Sequence, residues 1–409
     1  MRNRVLHKRH RRVGHSRHDV RLSSTRLQPH NARMTHWIDT PAALHARLHP
    51  LPASIGLDTE FIRERTYWPQ LALVQIALGE TDDDILLVDP QAPGMCAALV
   101  ALLENPAVLK LMHSPSEDLV AFQHSCGALP TPMFDTQAAA ALCGLGAGLS
   151  YQKLVQAITE VALAKGETRS DWLRRPLSAS QLEYAADDVR HLHALHRQLQ
   201  ATLAANGRAA WLDEDSTRQL ANAADDAGER WPHLALRGAQ ILDQAGQHRL
   251  LRLLRWRDAQ ARSSDRPRSW ILDNELALTL ARQNPADKRA CDRLLDAAPK
   301  SPRSLREALW QALITPLPDE ADAPRARGDD RDKTQLRALQ AAVADVAAEL
   351  DLPEGILASR RLLESLQDSS DWNGALSGWR RQILEPRLAP LLARTGSTPI
   401  PLAATPTSP

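Results

Sequence analysis

The chain has 409 residues, 43% of them hydrophobic, with 50 basic and 49 acidic side chains for a net charge of +1. That length exceeds one ordinary core and points to two or three domains, with enough apolar content to fill them. No apolar run nears the ~20 residues of a membrane span and the start lacks the apolar centre of a secretory signal, so a cytoplasmic protein without membrane contact is expected.

Charge is unevenly spread. Residues 1–33 hold ten Lys or Arg and one acid, Asp19, which leaves the rest of the chain acidic. This arm has no apolar period, whereas MTHWIDTPAALHARL from Met34 has the pattern of a domain start. Translation is expected to begin at Met34, with a disordered, nucleic-acid-tethering arm as the alternative.

From 53 to 137 strands alternate with helices. ASIGLDTEF (53–61), WPQLALVQIAL (68–78), DILLVDP (84–90) and AVLKLMHS (107–114) are the strand candidates, with helices after the third and fourth. The first three follow without a helix, which predicts a meander, and the later crossovers predict parallel pairing. An α/β fold with a mixed sheet flanked by helices follows. Beyond 138 the periodicity is helical. The polar, acidic stretch 213–229 reads as a boundary and the charged, Pro-rich stretch 316–333 as a linker or exposed insertion. Four cysteines (Cys96, Cys126, Cys143, Cys291) lie far apart without metal-finger spacing and are expected to be reduced structural thiols.

In IGLDTEF (55–61) a period of two puts Asp58 and Glu60 on one strand face and Leu57, Thr59 and Phe61 on the other. Two like charges about 4 Å apart repel by roughly 4 kcal/mol at an effective dielectric of ~20, so the pair needs exposure or a cation. In HSPSEDLVAF (113–122), Ser114 or Ser116 reads as a helix cap with Glu117 and Asp118 in the first turn, an arrangement that also serves a helix dipole. In QLEYAADDVRHL (181–192), after a cap at Ser178 or Ser180, Tyr184 and Asp188 share a helical face one turn apart.

In this order and spacing, Asp58-Thr59-Glu60, Asp118 and Tyr184-x-x-x-Asp188 resemble the motifs of the DEDD superfamily of 3′–5′ exonucleases, in its tyrosine-bearing branch. SEDL (116–119), TRSDWLRRPLS (168–178) and YAADDV (184–189) resemble the ribonuclease D family, and the helical half resembles its helicase-and-RNase-D C-terminal (HRDC) modules. The resemblance covers roughly residues 34–395. It implies a ribonuclease H-like exonuclease domain over 34–212, an HRDC domain over 224–300, a second, degenerate HRDC-like domain over 301–395 and a disordered tail over 396–409.

It further implies hydrolysis of RNA from 3′ ends by two Mg²⁺ ions, with Mn²⁺ as a substitute, releasing nucleoside 5′-monophosphates from transfer-RNA precursors. Asp58 would bridge the ions, Glu60 and Asp188 would hold the one nearer the nucleophile, Asp118 would support the other largely through water, and Tyr184 would orient the attacking water. Glu117 and Asp187 stand beside these positions and are set aside by the spacing. A DNA exonuclease of the same superfamily and a non-catalytic RNA-binding scaffold are the competing functions, and a monomer is expected.

Nucleic-acid contacts are expected at two further places. The loop 168–178 offers Arg169, Trp172, Arg174 and Arg175 for a cleft wall, a packed connector being the alternative. In QHRLLRLLRWRD the leucines 250, 251, 253 and 254 fall on one side of a helix and Arg249, Arg252 and Arg255 on the other, a face suited to phosphates or simply to solvent.

Overall fold

Six strands build one mixed sheet: β1 (His36–Ile38), β2 (Ser54–Ile62), β3 (Gln70–Ala77), β4 (Ile85–Val88), β5 (Leu109–Met112) and β6 (Met133–Asp135), in the order β1-β4-β3-β2-β5-β6. This computed structural model describes residues 35–164, 170–225, 227–298, 303–328 and 332–393. Short connections, the second holding only a single 3-10 turn at Asp82–Asp84, make β2, β3 and β4 an antiparallel meander, and crossovers make β2, β5 and β6 parallel. β1 pairs parallel with β4 at one edge. The sequence reading lacks β1 and β6, because three residues are too few to show a period.

Both faces of the sheet are covered, so β3 is buried along seven consecutive residues from Leu71 to Ala77. Val74 and Ile76 meet a core with Ile55, Leu57, Leu119 and Phe122 from the side of helix Ser116–Cys126. Leu73 and Ala77 meet the opposite core, filled by Tyr151, Trp172, Ala185 and Val189. Helix Ala179–Arg190 starts at Ser178, which forms a reciprocal capping box with Gln181. The serines near 114 behave differently: Pro115 precedes helix Ser116–Cys126 without a side-chain cap, and Ser114 takes a φ of 56° while its N–H donates to Asp135.

The acidic stretch after 213 is folded, as helix Ala209–Ala224, with Leu212 and Ser216 buried. Its acids have work to do. Asp215 accepts both ends of the Arg380 guanidinium at 2.6 and 2.9 Å, and Glu214 accepts the Trp379 N–H. Trp211 stacks on Trp379 with ring centres 4.4 Å apart. Through these contacts the helices Lys333–Leu350, Arg360–Ser369 and Trp379–Ala393 join the same core as the sheet's second face.

The intervening helices form a core of their own, from Ala239 through helix Gln244–Ser263 to Leu309, Leu313 and Ala326. The apolar unit therefore continues past residue 300. No described helix is long and apolar enough to cross a membrane.

Gly378 carries the docking of the last helix. Its φ is 61°, and a Cβ there would land on the Glu214 carboxylate. Gly378→Ala adds left-handed strain to that collision and is expected to destabilise the chain by more than ~1 kcal/mol, read as a lower melting temperature and a changed tryptophan emission. An unchanged melt would show that this junction contributes nothing.

Candidate active site

β5 pairs with β2 only along Ser54–Gly56, so the rest of β2 has an open side. Asp58 and Glu60 sit on this stretch, and a register shift between Glu60 and Phe61 bends the strand just after them. Helix Ser116–Cys126 begins beyond the end of β5 and brings Asp118, 9% exposed, to the open side. There Thr59 Oγ1 donates to Asp118 Oδ1 at 2.5 Å, although strand alternation points Thr59 away from Asp58 and Glu60. Helix Ala179–Arg190 approaches from the other face with Asp188 and Tyr184, whose hydroxyl bonds the Asp188 carboxylate.

Four carboxylates thus meet in one place. Burial, then repulsion from Asp118, Asp188 and Glu60, pushes Asp58 well above the usual carboxylate range. Burial and the charges of Asp188 and Asp118 lift Glu60 to about 8. Burial raises Asp188 to about 7 against the Tyr184 hydrogen bond, and Asp118 to about 6 against the Thr59 one. Burial and the charges of Asp188 and Glu60 raise the Tyr184 phenol, so it stays protonated near neutral pH.

The neighbouring acids point elsewhere. Glu117 accepts from Arg63 at 2.9 Å, and Asp187 pairs with Arg190, which also binds Asp82 and Glu183. Phe61 is partly buried against the first core.

Residues outside the motif also reach this place. The buried Tyr151 hydroxyl accepts from the His191 N–H, and the charges of Asp188 and Asp58 add to the burial that raises it. Gln75 is fully buried directly across from Asp58, with neither end of its amide partnered among the described residues. A polar Gln inside the apolar run LALVQIAL was the available sign, since such a group is costly without a reason.

The loop candidates divide. Trp172, 4% exposed, is a core residue with its ring 6.1 Å from that of Tyr184, so it backs the tyrosine and offers no open stacking surface. Arg175 is fastened to Asp89 at 2.8 and 2.9 Å and to the Ala72 carbonyl at 2.6 Å. Arg174 is exposed, and Arg169 lies outside the described residues.

The helix arginines are likewise engaged. Arg252 grips Glu320, Arg255 grips Asp319 and the Arg230 carbonyl, and Arg249 donates to the Ala281 carbonyl at 2.9 Å. Arg252 and Arg255 are therefore held by the module's own acids and carbonyls, while Arg249 keeps donors beyond its Nε.

Residues 34–204 match a family model described as 3′–5′ exonuclease. A ribonuclease D from Xanthomonas oryzae pv. oryzae is 59% identical over 361 residues, which is 88% of this chain and 99% of that protein. The chain belongs to the ribonuclease D family. A ribonuclease D from Pseudomonas paraeruginosa is 34% identical over 85% of this chain and 94% of its own. The crystal structure of Escherichia coli RNase D, described as an exoribonuclease involved in structured RNA processing, matches with a TM-score of 0.73 at 28% identity, over 88% of this chain and 99% of that one.

The four carboxyls keep their protons to higher pH in the folded chain than in the unfolded one. Above the unfolded range near 4 the folded state therefore binds more protons, and stability falls as pH rises through the folded values of about 6 to 8. His113, lowered to about 4, gives the opposite slope below its ordinary value of 6.5, and Lys110, lowered to about 8, does so above that. In chelator the melting temperature is expected to drop between roughly pH 6.5 and 8, less steeply in Asp58→Asn. Superimposable pH profiles for the two proteins would contradict the coupling.

Proposed function

We propose that this ribonuclease D family member shortens single-stranded RNA 3′ ends one nucleotide at a time, with Asp58, Glu60, Asp118, Tyr184 and Asp188 as its catalytic residues. The observation that carries this reading is the convergence of four like charges from one strand and two helices, with a neutral phenol bonded to one of them. A non-catalytic scaffold has no use for such a cluster, which costs stability at neutral pH.

The donor set fits hard divalent cations: every group is a carboxylate oxygen, and the mutual repulsion is what a cation relieves. Among the described residues no three His, Cys, Asp or Glu side chains close into a finished metal cage. Mg²⁺ keeps several waters and needs only a few carboxylates, so an open arrangement suits it. The family's exonuclease fold is dependent on divalent metal. We assign two Mg²⁺ ions, or Mn²⁺ in their place, to Asp58, Glu60, Asp118 and Asp188, where they would supply an activated water and stabilise the leaving oxygen.

The chain's own residues set the rest. Tyr184 is protonated, so its hydroxyl orients and donates rather than abstracts a proton. Its bond to Asp188 and the packed Trp172 behind it fix the ring. Thr59 holds Asp118 in the same way from the strand side. Water adds to the terminal phosphorus and the P–O3′ bond breaks, releasing a nucleoside 5′-monophosphate and leaving a new 3′-hydroxyl. Transfer-RNA precursors with single-stranded 3′ ends are the substrate class we infer, in keeping with the structured-RNA role of the E. coli relative. Every residue of the site lies in one chain, so a monomer suffices.

Asp58→Asn is expected to cut turnover of a short labelled RNA by several orders of magnitude while the fold survives. Tyr184→Phe deletes only the hydroxyl and is expected to lower single-turnover rates by about 10²–10⁴-fold with cation binding retained by calorimetry. Near-normal turnover in Asp58→Asn, or loss of cation binding in Tyr184→Phe, would refute these roles. Equal rates on RNA and DNA would move the reading to a DNA-competent exonuclease.

A further inference from the structure

Just beyond Glu60 the chain leaves the sheet, and the segment from Arg63 to Trp68 reaches the first helical module. Two cavities of about 650 and 510 Å³ open around this contact, and Arg63, Tyr67 and Arg268 line both. Such volumes are those of ligand sites, ~300–1,000 Å³. Three residues of extended chain separate Glu60 from Arg63, at most about 11 Å.

The wall between the cavities is fixed. Tyr67 is 4% exposed, and its hydroxyl donates to Asp258 at 3.1 Å while accepting from Arg268 at 2.6 Å and Arg262 at 3.0 Å. The backbone N–H groups of Tyr67 and Trp68 both donate to Asp265 at 3.0 Å.

The arginines here are anchored without being used up, unlike those of the Asp319 and Glu320 pairs. A guanidinium has five N–H donors. Arg63 gives Nε to the Tyr67 carbonyl and Nη1 to Glu117, which leaves Nη2 without a partner among the described residues. Arg268 gives Nε to Asp258 and Nη2 to Tyr67, which leaves Nη1. Among the described residues Arg257 gives only Nη1, to the Leu272 carbonyl and Asn274, and its buried Nε has no partner. Burial and the nearby Arg268 charge both push the Arg257 guanidinium below its ordinary range, an environment that an anion would relieve.

We propose that this groove is the track for the phosphodiester backbone of single-stranded RNA upstream of the scissile bond, with Arg63, Arg257 and Arg268 as its phosphate contacts. The proposal rests on the exonuclease reading above and adds where the strand runs: out of the carboxylate site and between the sheet domain and the first helical module.

The test uses the full chain and a 3′-hydroxyl RNA dodecamer, with binding followed by fluorescence anisotropy in chelator over a salt series. Arg63→Gln combined with Arg257→Gln is expected to weaken binding about tenfold and to reduce the slope of log affinity on log salt by about 0.7 for each lost contact. With Mg²⁺, the ratio of kcat/KM on the dodecamer to that on a dinucleotide is expected to fall with it. Glu64→Lys adds a charge to the larger cavity without touching these bonds, and it is expected to tighten dodecamer binding and steepen the salt slope. Unchanged affinity and slope in both variants would overturn the groove. Failure of the exonuclease reading looks different: the unaltered protein would bind the dodecamer and never shorten it.

Discussion

The repulsion among Asp58, Glu60, Asp118 and Asp188 is the constraint around which the rest of the site is organised. A sheet that ran β5 alongside all of β2 would close the side from which Asp118 arrives. Stopping that pairing at Gly56 leaves room for a helix from each face to bring in one more charge. The cost is visible in every one of the four carboxyls, each held above its ordinary range. The chain also keeps its own cations out. Arg63 follows Glu60 by three residues and is tied to Glu117, and Arg190 follows Asp188 by two and is tied to Asp187, Glu183 and Asp82. Each helix thus carries, next to its site acid, a second acid that occupies the nearest arginine. Neutral donors hold the site carboxylates instead, Thr59 on Asp118 and Tyr184 on Asp188, so their negative charge remains available to an external cation.

The two helical modules attach by different physics. The later one shares an apolar core with the sheet domain and is pinned by Trp211, Trp379 and the Asp215–Arg380 pair, so it behaves as an extension of that domain. The earlier one keeps its own core and meets the sheet domain at Tyr67, whose hydrogen bonds and small apolar cluster with Ala261 and Ile271 lie beside two cavities. The cavities and the guanidiniums with donors to spare place the proposed strand-binding groove at the first junction.

Much of the fold was legible because β2 through β5 stand out as apolar runs and no α-helix separates the strands of the meander. The carboxylates were legible because motif order fixes them, and local alternation carried Asp58 and Glu60. Thr59 was not, since alternation assigns it to the far face; only the helix arriving at the open side of β2 gives its hydroxyl a site partner. Trp172 illustrates the same limit. A tryptophan among arginines looks like a stacking platform, but its ring supports Tyr184 from inside the core, and nothing in the local pattern distinguishes the two.

The misread charges share one cause. Composition treats an acidic stretch as solvated and a basic helix face as free, and here the two were each other's partners. Glu214 and Asp215, read as boundary, hold Trp379 and Arg380; Asp319 and Glu320, read as linker, hold Arg255 and Arg252. The side chains of Arg252 and Glu320 are only 14% and 12% exposed and all three guanidinium nitrogens of Arg252 are engaged, so neither is free to serve a phosphate. Pairing acidic loops with basic faces first, and asking which guanidiniums still have donors left, removes Arg252 and Arg255 from consideration. At the first junction it leaves Arg63, Arg257 and Arg268, which no amphipathic pattern singled out because they come from a loop, a helix flank and a helix start, and they become neighbours only where the first module meets the sheet domain.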